Sequence, residues 1–358
     1  MIVYYFVFIV TLILAYYLPA ETDKEWRKKL FWTFVPLFLF GALRVNMGND
    51  YAQYELFFEM HHGQDGFVYD ETAHSEFGYQ LLNYIMPSFR AVLVLNSLLL
   101  CVALAVFIYR NIPKEYLWLA IILIFLNVEK NIYGSLVGVR NGLAVTTFLL
   151  GSVFIQNRKL IPFIVTTVIA MSLHSSAVFF MPVAYIVGLS RTIDKKEIVI
   201  WAILACVILL SSQTGLMSYV EPFLVDELES YQGYLKDEYH RGFLLTTTGV
   251  ILFYLIISLF WEQKDVISQE QSSLIRLGFL YPISTLLGSM AMRASYFYDM
   301  FFIATVALLY SRAGKQNVRA KLLFILALIS SAYSFYLWRC NNMGNPRYDV
   351  YQSILSLF

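Results

Sequence analysis

Apolar stretches of near-membrane length recur from one end of the chain to the other with only short polar breaks, and this pattern decides the solvent in which it folds. Crossing about 30 Å of hydrocarbon takes roughly 20 mainly apolar residues in a helix, since lipid supplies no partner for an unpaired backbone amide. With 59% of its 358 residues hydrophobic and 14% charged, the chain reads as an all-α polytopic transmembrane helical bundle, one integral membrane domain over 1-358. The expected spans, about twelve, are 2-18, 29-43, 90-109, 116-128, 138-156, 160-172, 175-189, 198-212, 243-260, 275-291, 295-311 and 321-338. The first run has no basic residue before it and no small-x-small site after it, so it reads as a retained span rather than a signal peptide. Cys101, Cys206 and Cys340 are scattered in no ligand spacing, which argues against disulfides and zinc. A net charge of +1 gives no sign of a nucleic-acid partner.

Basic residues collect in alternate connections: Lys24 to Lys29, Arg110 and Lys114, Arg158 and Lys159, Arg191 to Lys196, Lys264 and Arg276, then Arg312 to Lys321. By the positive-inside rule these connections are cytoplasmic, which leaves both termini and two long loops, at about 44-89 and 213-242, outside. The run from Leu160 to Leu189 is flanked by cytoplasmic charge at both ends, so it is expected to enter and return as a broken or re-entrant helix pair around His174. About 13 residues of helix rise only some 20 Å. The turn Ser172-Leu173-His174-Ser175-Ser176 then stops at membrane depth, where broken helices are tolerated only in protein or beside a wet cavity.

The outer basic residues differ in kind from the inner ones. They are Arg44, Arg90, Lys130, Arg140, Lys236, Arg241, Arg293, Arg339 and Arg347, mostly arginine on the face where positive charge is disfavoured. Guanidinium presents a planar fork that binds phosphate oxygens in pairs and keeps its charge when partly buried, so several arginines at outer span ends point to a shared polyanion. Each one taken singly is equally explained by a local carboxylate or by snorkelling. Asp50 follows Arg44 across a Gly48-Asn49 turn and either pairs with that arginine or accepts a proton from a sugar hydroxyl; Glu76, where the first outer loop returns to the membrane, raises the same two readings. Among the histidines only His174 sits inside a long apolar run, and an ionisable group at that depth points to function.

The order of these motifs is informative. Arg44-xxx-Gly48-x-Asp50-Tyr51-xx-Tyr54 is followed by Glu76-Phe77-Gly78-Tyr79, Val139-Arg140-Asn141-Gly142, Leu173-His174-Ser175-Ser176 and Arg293-xx-Tyr296-Phe297. The series resembles the EpsG-like branch of the Wzy polysaccharide polymerases, from about residue 40 to 300. That resemblance implies a GT-C-like membrane glycosyltransferase in the bacterial inner membrane, its active site facing the periplasm or exterior. It would join undecaprenyl-diphosphate-linked oligosaccharide repeats into exopolysaccharide, capsule or O-antigen chains. It also implies Arg44, Arg140 and Arg293, with Arg347 less clearly, on the diphosphate, and one of His174, Asp50 and Glu76 as the base. No cofactor, metal or nucleotide is expected; the partners are lipid-linked glycans and membrane lipids, with a chain-length regulator and a flippase alongside. Two other classes compete: a lipid-linked oligosaccharide flippase or transporter, disfavoured by the one-sided polar residues, and a membrane acyltransferase, disfavoured because no histidine precedes His61.

Overall fold

The structure, a computed structural model, describes residues 2–73, 75–189, 193–213, 268–286, 289–313, 318–349 and 351–353. The expected span at 243-260, and the loop at about 213-242 beyond its first residue, lie outside them. The described chain is nearly all helical and divides into two units, Met1–Val183 with Phe335–Phe358, and Ala184–Ser334.

The first unit is built on α1 (Ile2–Tyr17), α2 (Asp23–Ala42), α3 (Tyr51–His61), α4 (Phe77–Ile85), α5 (Phe89–Asn111), α6 (Leu117–Leu126), α7 (Gly134–Leu136), α8 (Val139–Gln156) and α9 (Leu160–Leu173), with the start of α10 (Ala177–Gly188). α2 begins at a reciprocal cap in which Thr22 accepts from the Glu25 amide and the Glu25 carboxylate accepts from that of Thr22. Many helices carry aliphatic residues on their exposed faces, such as Ile161, Ile164, Val165 and Val168 on α9, while Asn96, Thr146 and Thr33 are buried. That distribution is the inverse of a water-soluble helix and suits a lipid surround.

These helices make different contacts at their two ends. At one end Tyr109 donates to Asp23, and Lys114 donates to the carbonyls of Ala20 and Glu21. At the other, Arg90 donates to the carbonyls of Ala42 and Arg44 at 3.0 and 2.6 Å. A C-terminal strap closes this second end. Gln352–Ser353 pairs antiparallel with Arg44–Val45, Gly48 N–H donates to the Arg347 carbonyl at 3.1 Å, and Tyr351 stacks on Phe40.

The twelve-span count is not confirmed. Among the described residues two helices, Phe89–Asn111 and Lys321–Cys340, are long and apolar enough to cross a membrane by length and composition. A third qualifies if Lys114–Leu126 and Glu129–Leu136, bent by 78°, are taken as one broken span. The shortfall has a physical reason: α1, α9 and α10 are apolar but only 16, 14 and 12 residues long. After the 78° break, in a stretch expected to be an outer connection, a single turn of π-helix at Glu129–Tyr133 buries Lys130 and Asn131.

In the second unit α11 (Lys195–Gln213) packs beside α12 (Gln269–Leu286), and α12 packs along α13 (Ser289–Ala313). Arg276, expected on the cytoplasmic side, pairs there with Glu197 through its Nε and through Nη2 at 2.5 Å. The following helix, α14 (Val318–Asn342), returns the chain to the first unit at Phe335.

Candidate functional site: an arginine, a carboxylate and a histidine at a helix break

Glu76 occupies the N-cap position of α4 in an extended conformation, and its side chain makes no capping bond. Glutamate reaches poorly back to its own helix, so the carboxylate is directed elsewhere. Gly78 sets where it goes. A Cβ there would collide with the Ser172 hydroxyl and come within 2.7 Å of the Ser172 carbonyl, so only glycine lets the first turn of α4 lie against the end of α9. His174 is the C-cap of that helix: its backbone turns to φ −157°, ψ 126° and ends α9 while its N–H still bonds the Ala170 carbonyl at 2.9 Å. The break at His174 stands where the apolar pattern placed it.

Three side chains meet at this contact. Glu76 Oε1 lies 3.0 Å from His174 Nδ1 and accepts the Ser175 N–H at 2.8 Å, while Oε2 accepts Arg140 Nη1 at 2.9 Å. The side chains are 18%, 11% and 20% exposed for Glu76, His174 and Arg140, so the cluster is shielded but not sealed. Burial pushes the Glu76 carboxyl up, but the His174 bond, the Arg140 charge and the Ser175 amide outweigh it and hold the group at about 2. Arg140, the second residue of α8, lies 5.6 Å from the ring centre of Phe57 and 6.0 Å from that of Tyr54, both on α3.

The imidazole tautomer follows from these partners. An ionised carboxylate only accepts, so the nitrogen facing it carries the proton, and the neutral form of His174 matched to this partner is Nδ1–H with Nε2 as the acceptor. A carboxylate placed on an imidazole nitrogen in this way can hold the ring's orientation and tautomer.

The remaining expected residues fall elsewhere. Arg44 is 1% exposed and its fork is spent within the fold, donating to the Gly41 carbonyl, to Ser97 Oγ at 3.0 Å and to the Leu136 carbonyl at 2.8 Å. In this arrangement it is a strut tying α2, α5 and α7. Arg347 donates to the Asn49 carbonyl at 2.9 Å, latching the strap beside Asp50, which is exposed at the N-cap of α3. Arg293 lies within α13, and its side chain is outside the described residues. Among the described residues no three of His, Cys, Asp and Glu gather as a metal site.

Reasoning on charge alone missed the Ser175 amide and the Gly78 approach; the Phe77-Gly78 pair beside an isolated carboxylate was the available signal. Replacing Gly78 with alanine should push α4 off α9 and cost roughly 100-fold in turnover, the scale expected of a 1 Å misplacement, with the protein still inserted in the membrane. Single-turnover rates on matched preparations check this.

Comparison with curated proteins and with solved structures finds no match. The model of the EpsG family matches residues 29–353, a range that holds Glu76, Arg140 and His174 together with the strap. A match over most of the chain settles its membership: the chain belongs to the EpsG family, a family of Wzy-like polysaccharide polymerases.

Proposed function

We propose that the chain transfers a growing glycan from a lipid diphosphate to the hydroxyl of a lipid-linked repeat, with His174 as the base and Glu76 as its positioning residue. The observation that carries this reading is the carboxylate on His174 Nδ1, which leaves Nε2 to take a proton. In the step, the acceptor oxygen forms a bond to the anomeric carbon, the bond from that carbon to the diphosphate oxygen breaks, and the hydroxyl proton moves to His174 Nε2. The leaving diphosphate departs with the negative charge. A cation fixed before the reaction stabilises that charge more than it stabilises the ground state, and Arg140, held on Glu76 and the α3 rings, is the cation in this cluster. Arg293 and Arg347 are proposed to complete the polyanion site.

Glu76 is the weaker candidate for the base. A carboxylate held at about 2 is a poor proton acceptor near neutral pH, where the best base titrates close to the working pH. Asp50, at the N-terminus of α3, is the alternative that stays open. We assign the substrates as glycans on undecaprenyl diphosphate and the site to the outer face of the inner membrane, supported by the arginine bias of that face and the family.

Incubating the purified protein with a defined lipid-linked repeat should yield a ladder of products. Ladder formation should survive EDTA, because arginine supplies the positive charge to the leaving group. Loss of product that magnesium or manganese restores would replace that part of the account.

A further inference from the structure

The loop before Glu76 carries a second feature that the transfer step does not use. Phe67, Tyr69, Phe77 and Tyr84 form one aromatic cluster: Phe67 lies edge-on to Phe77 at 5.4 Å and tilted against Tyr84 at 5.6 Å, and Tyr69 lies 6.0 Å from Phe77. Phe77 is 50% exposed and Tyr69 44%, so two rings of the cluster present surface while the others support them. This is a held surface and not a slack loop. Gln80, fully buried, accepts the Asp70 N–H at 2.9 Å and donates to the carbonyls of Asp70 and Ser75, each at 2.8 Å, which clamps the segment between Tyr69 and Glu76 onto α4. Asp70 in turn accepts from the Thr72 amide and hydroxyl.

Along this stretch of chain the fixed charge is acidic, and of its carboxylates Glu76 is paired with Arg140 from α8. The sequence has no lysine or arginine between Arg44 and Arg90, whereas Asp65, Asp70, Glu71 and Glu76 lie in this stretch. Attraction to anionic headgroups calls for lysine or arginine beside an aromatic surface, and this stretch supplies none. Rigid aromatic faces with carboxylates and hydroxyls at their edges suit a sugar instead: the apolar face of the ring stacks, and its hydroxyls donate to the acceptors. Phe77 directly follows Glu76, so the surface runs into the reactive cluster along the chain.

We propose that the Tyr69–Phe77 face is a saccharide subsite that holds the glycan beside Glu76 and selects uncharged over acidic sugars. The inference rests on the polymerase reading for the glycan's presence, and its new content is the location and the charge selection. Like charge along the stretch repels a uronic-acid chain, which is discrimination by a repulsive element. The positive charge at Arg140 serves the diphosphate end, so the two signs divide the substrate between them.

The test uses free oligosaccharides, so it reads no turnover and stands apart from whether the chain polymerises. Cellotetraose and tetragalacturonate, equal in length and opposite in the property at issue, are titrated onto the full chain in nanodiscs and followed by saturation-transfer NMR. Cellotetraose should bind in the millimolar range, with tetragalacturonate at least about 10-fold weaker, and Asp65→Asn with Glu71→Gln should narrow that gap. Tyr69→Ala and Phe77→Ala should each weaken cellotetraose about 10-fold, as expected for the loss of one ring contact. Equal or tighter binding of tetragalacturonate by the unaltered protein overturns the charge selection. Binding of neither sugar, or unchanged binding in both well-folded ring variants, overturns the subsite.

Discussion

Glu76→Gln should lower single-turnover polymerisation about 1,000- to 10,000-fold, the scale seen when a carboxylate that fixes a catalytic imidazole becomes an amide. The substitution keeps the size of the side chain and changes what its two ends do. Glu76 accepts at both oxygens, from His174 and Ser175 at Oε1 and from Arg140 at Oε2. Glutamine has one acceptor and one donor, so its NH2 must face either Arg140 or the His174 and Ser175 pair. The first choice sets donor against donor and loses the ion pair. The second turns the imidazole to the wrong tautomer, with its proton on Nε2 where the acceptor hydroxyl needs a base. Rates on enzyme matched for insertion and substrate binding check the expectation, and a fall of less than tenfold would reduce Glu76 to a structural anchor.

The same carboxylate makes a pH statement with a definite sign. Its value in the fold, about 2, lies below its ordinary 4.5, so the stabilisation is fully present above the ordinary value and is lost as pH falls through the lower one. The melting-temperature difference between the native chain and Glu76→Gln should therefore stay level from about pH 5 to pH 8 and shrink below about pH 4. A difference that collapses near neutral pH would mean that Glu76 is not ionised as described.

His174→Ala should abolish most polymer growth, by about 100- to 10,000-fold, while lipid-linked substrate still binds. Binding and chemistry separate because the diphosphate is assigned to arginines and the proton to the imidazole. Removing the ring also leaves Glu76 to Arg140 and the Ser175 amide, which keep it paired, so the break between α9 and α10 should persist. Matched binding isotherms beside the product ladder are the measurement. A variant that binds and polymerises normally would make His174 a packing residue and move the base to Asp50.

How much of this was legible beforehand depended on the range of the interaction. The break at His174 was legible because it is local: apolar runs of about 13 residues on either side of one histidine do not make one span. Pairing was not legible. Nothing in spacing says that Glu76 takes both Arg140 and His174, 64 and 98 residues away. Nor does spacing say that the fork of Arg44 closes on Gly41, Ser97 and Leu136. An arginine at an outer span end has the same signature whether it waits for a phosphate or satisfies buried carbonyls, and only burial separates the two. The strap was hidden for a similar reason, since two residues of strand at Gln352–Ser353 carry too little pattern to announce a partner more than 300 residues earlier.

The most direct measurement of the account is the tautomer of His174. Nitrogen-15 NMR of histidine-labelled protein at about pH 8.5, where an ordinary imidazole is neutral, with the His174→Ala spectrum subtracted to identify the signal, reads which ring nitrogen carries the proton. The account predicts Nδ1–H with an unprotonated Nε2 in the native chain, shifting toward the other tautomer in Glu76→Gln. A native spectrum with the proton on Nε2 would contradict it, because His174 would then have no lone pair to offer the acceptor hydroxyl.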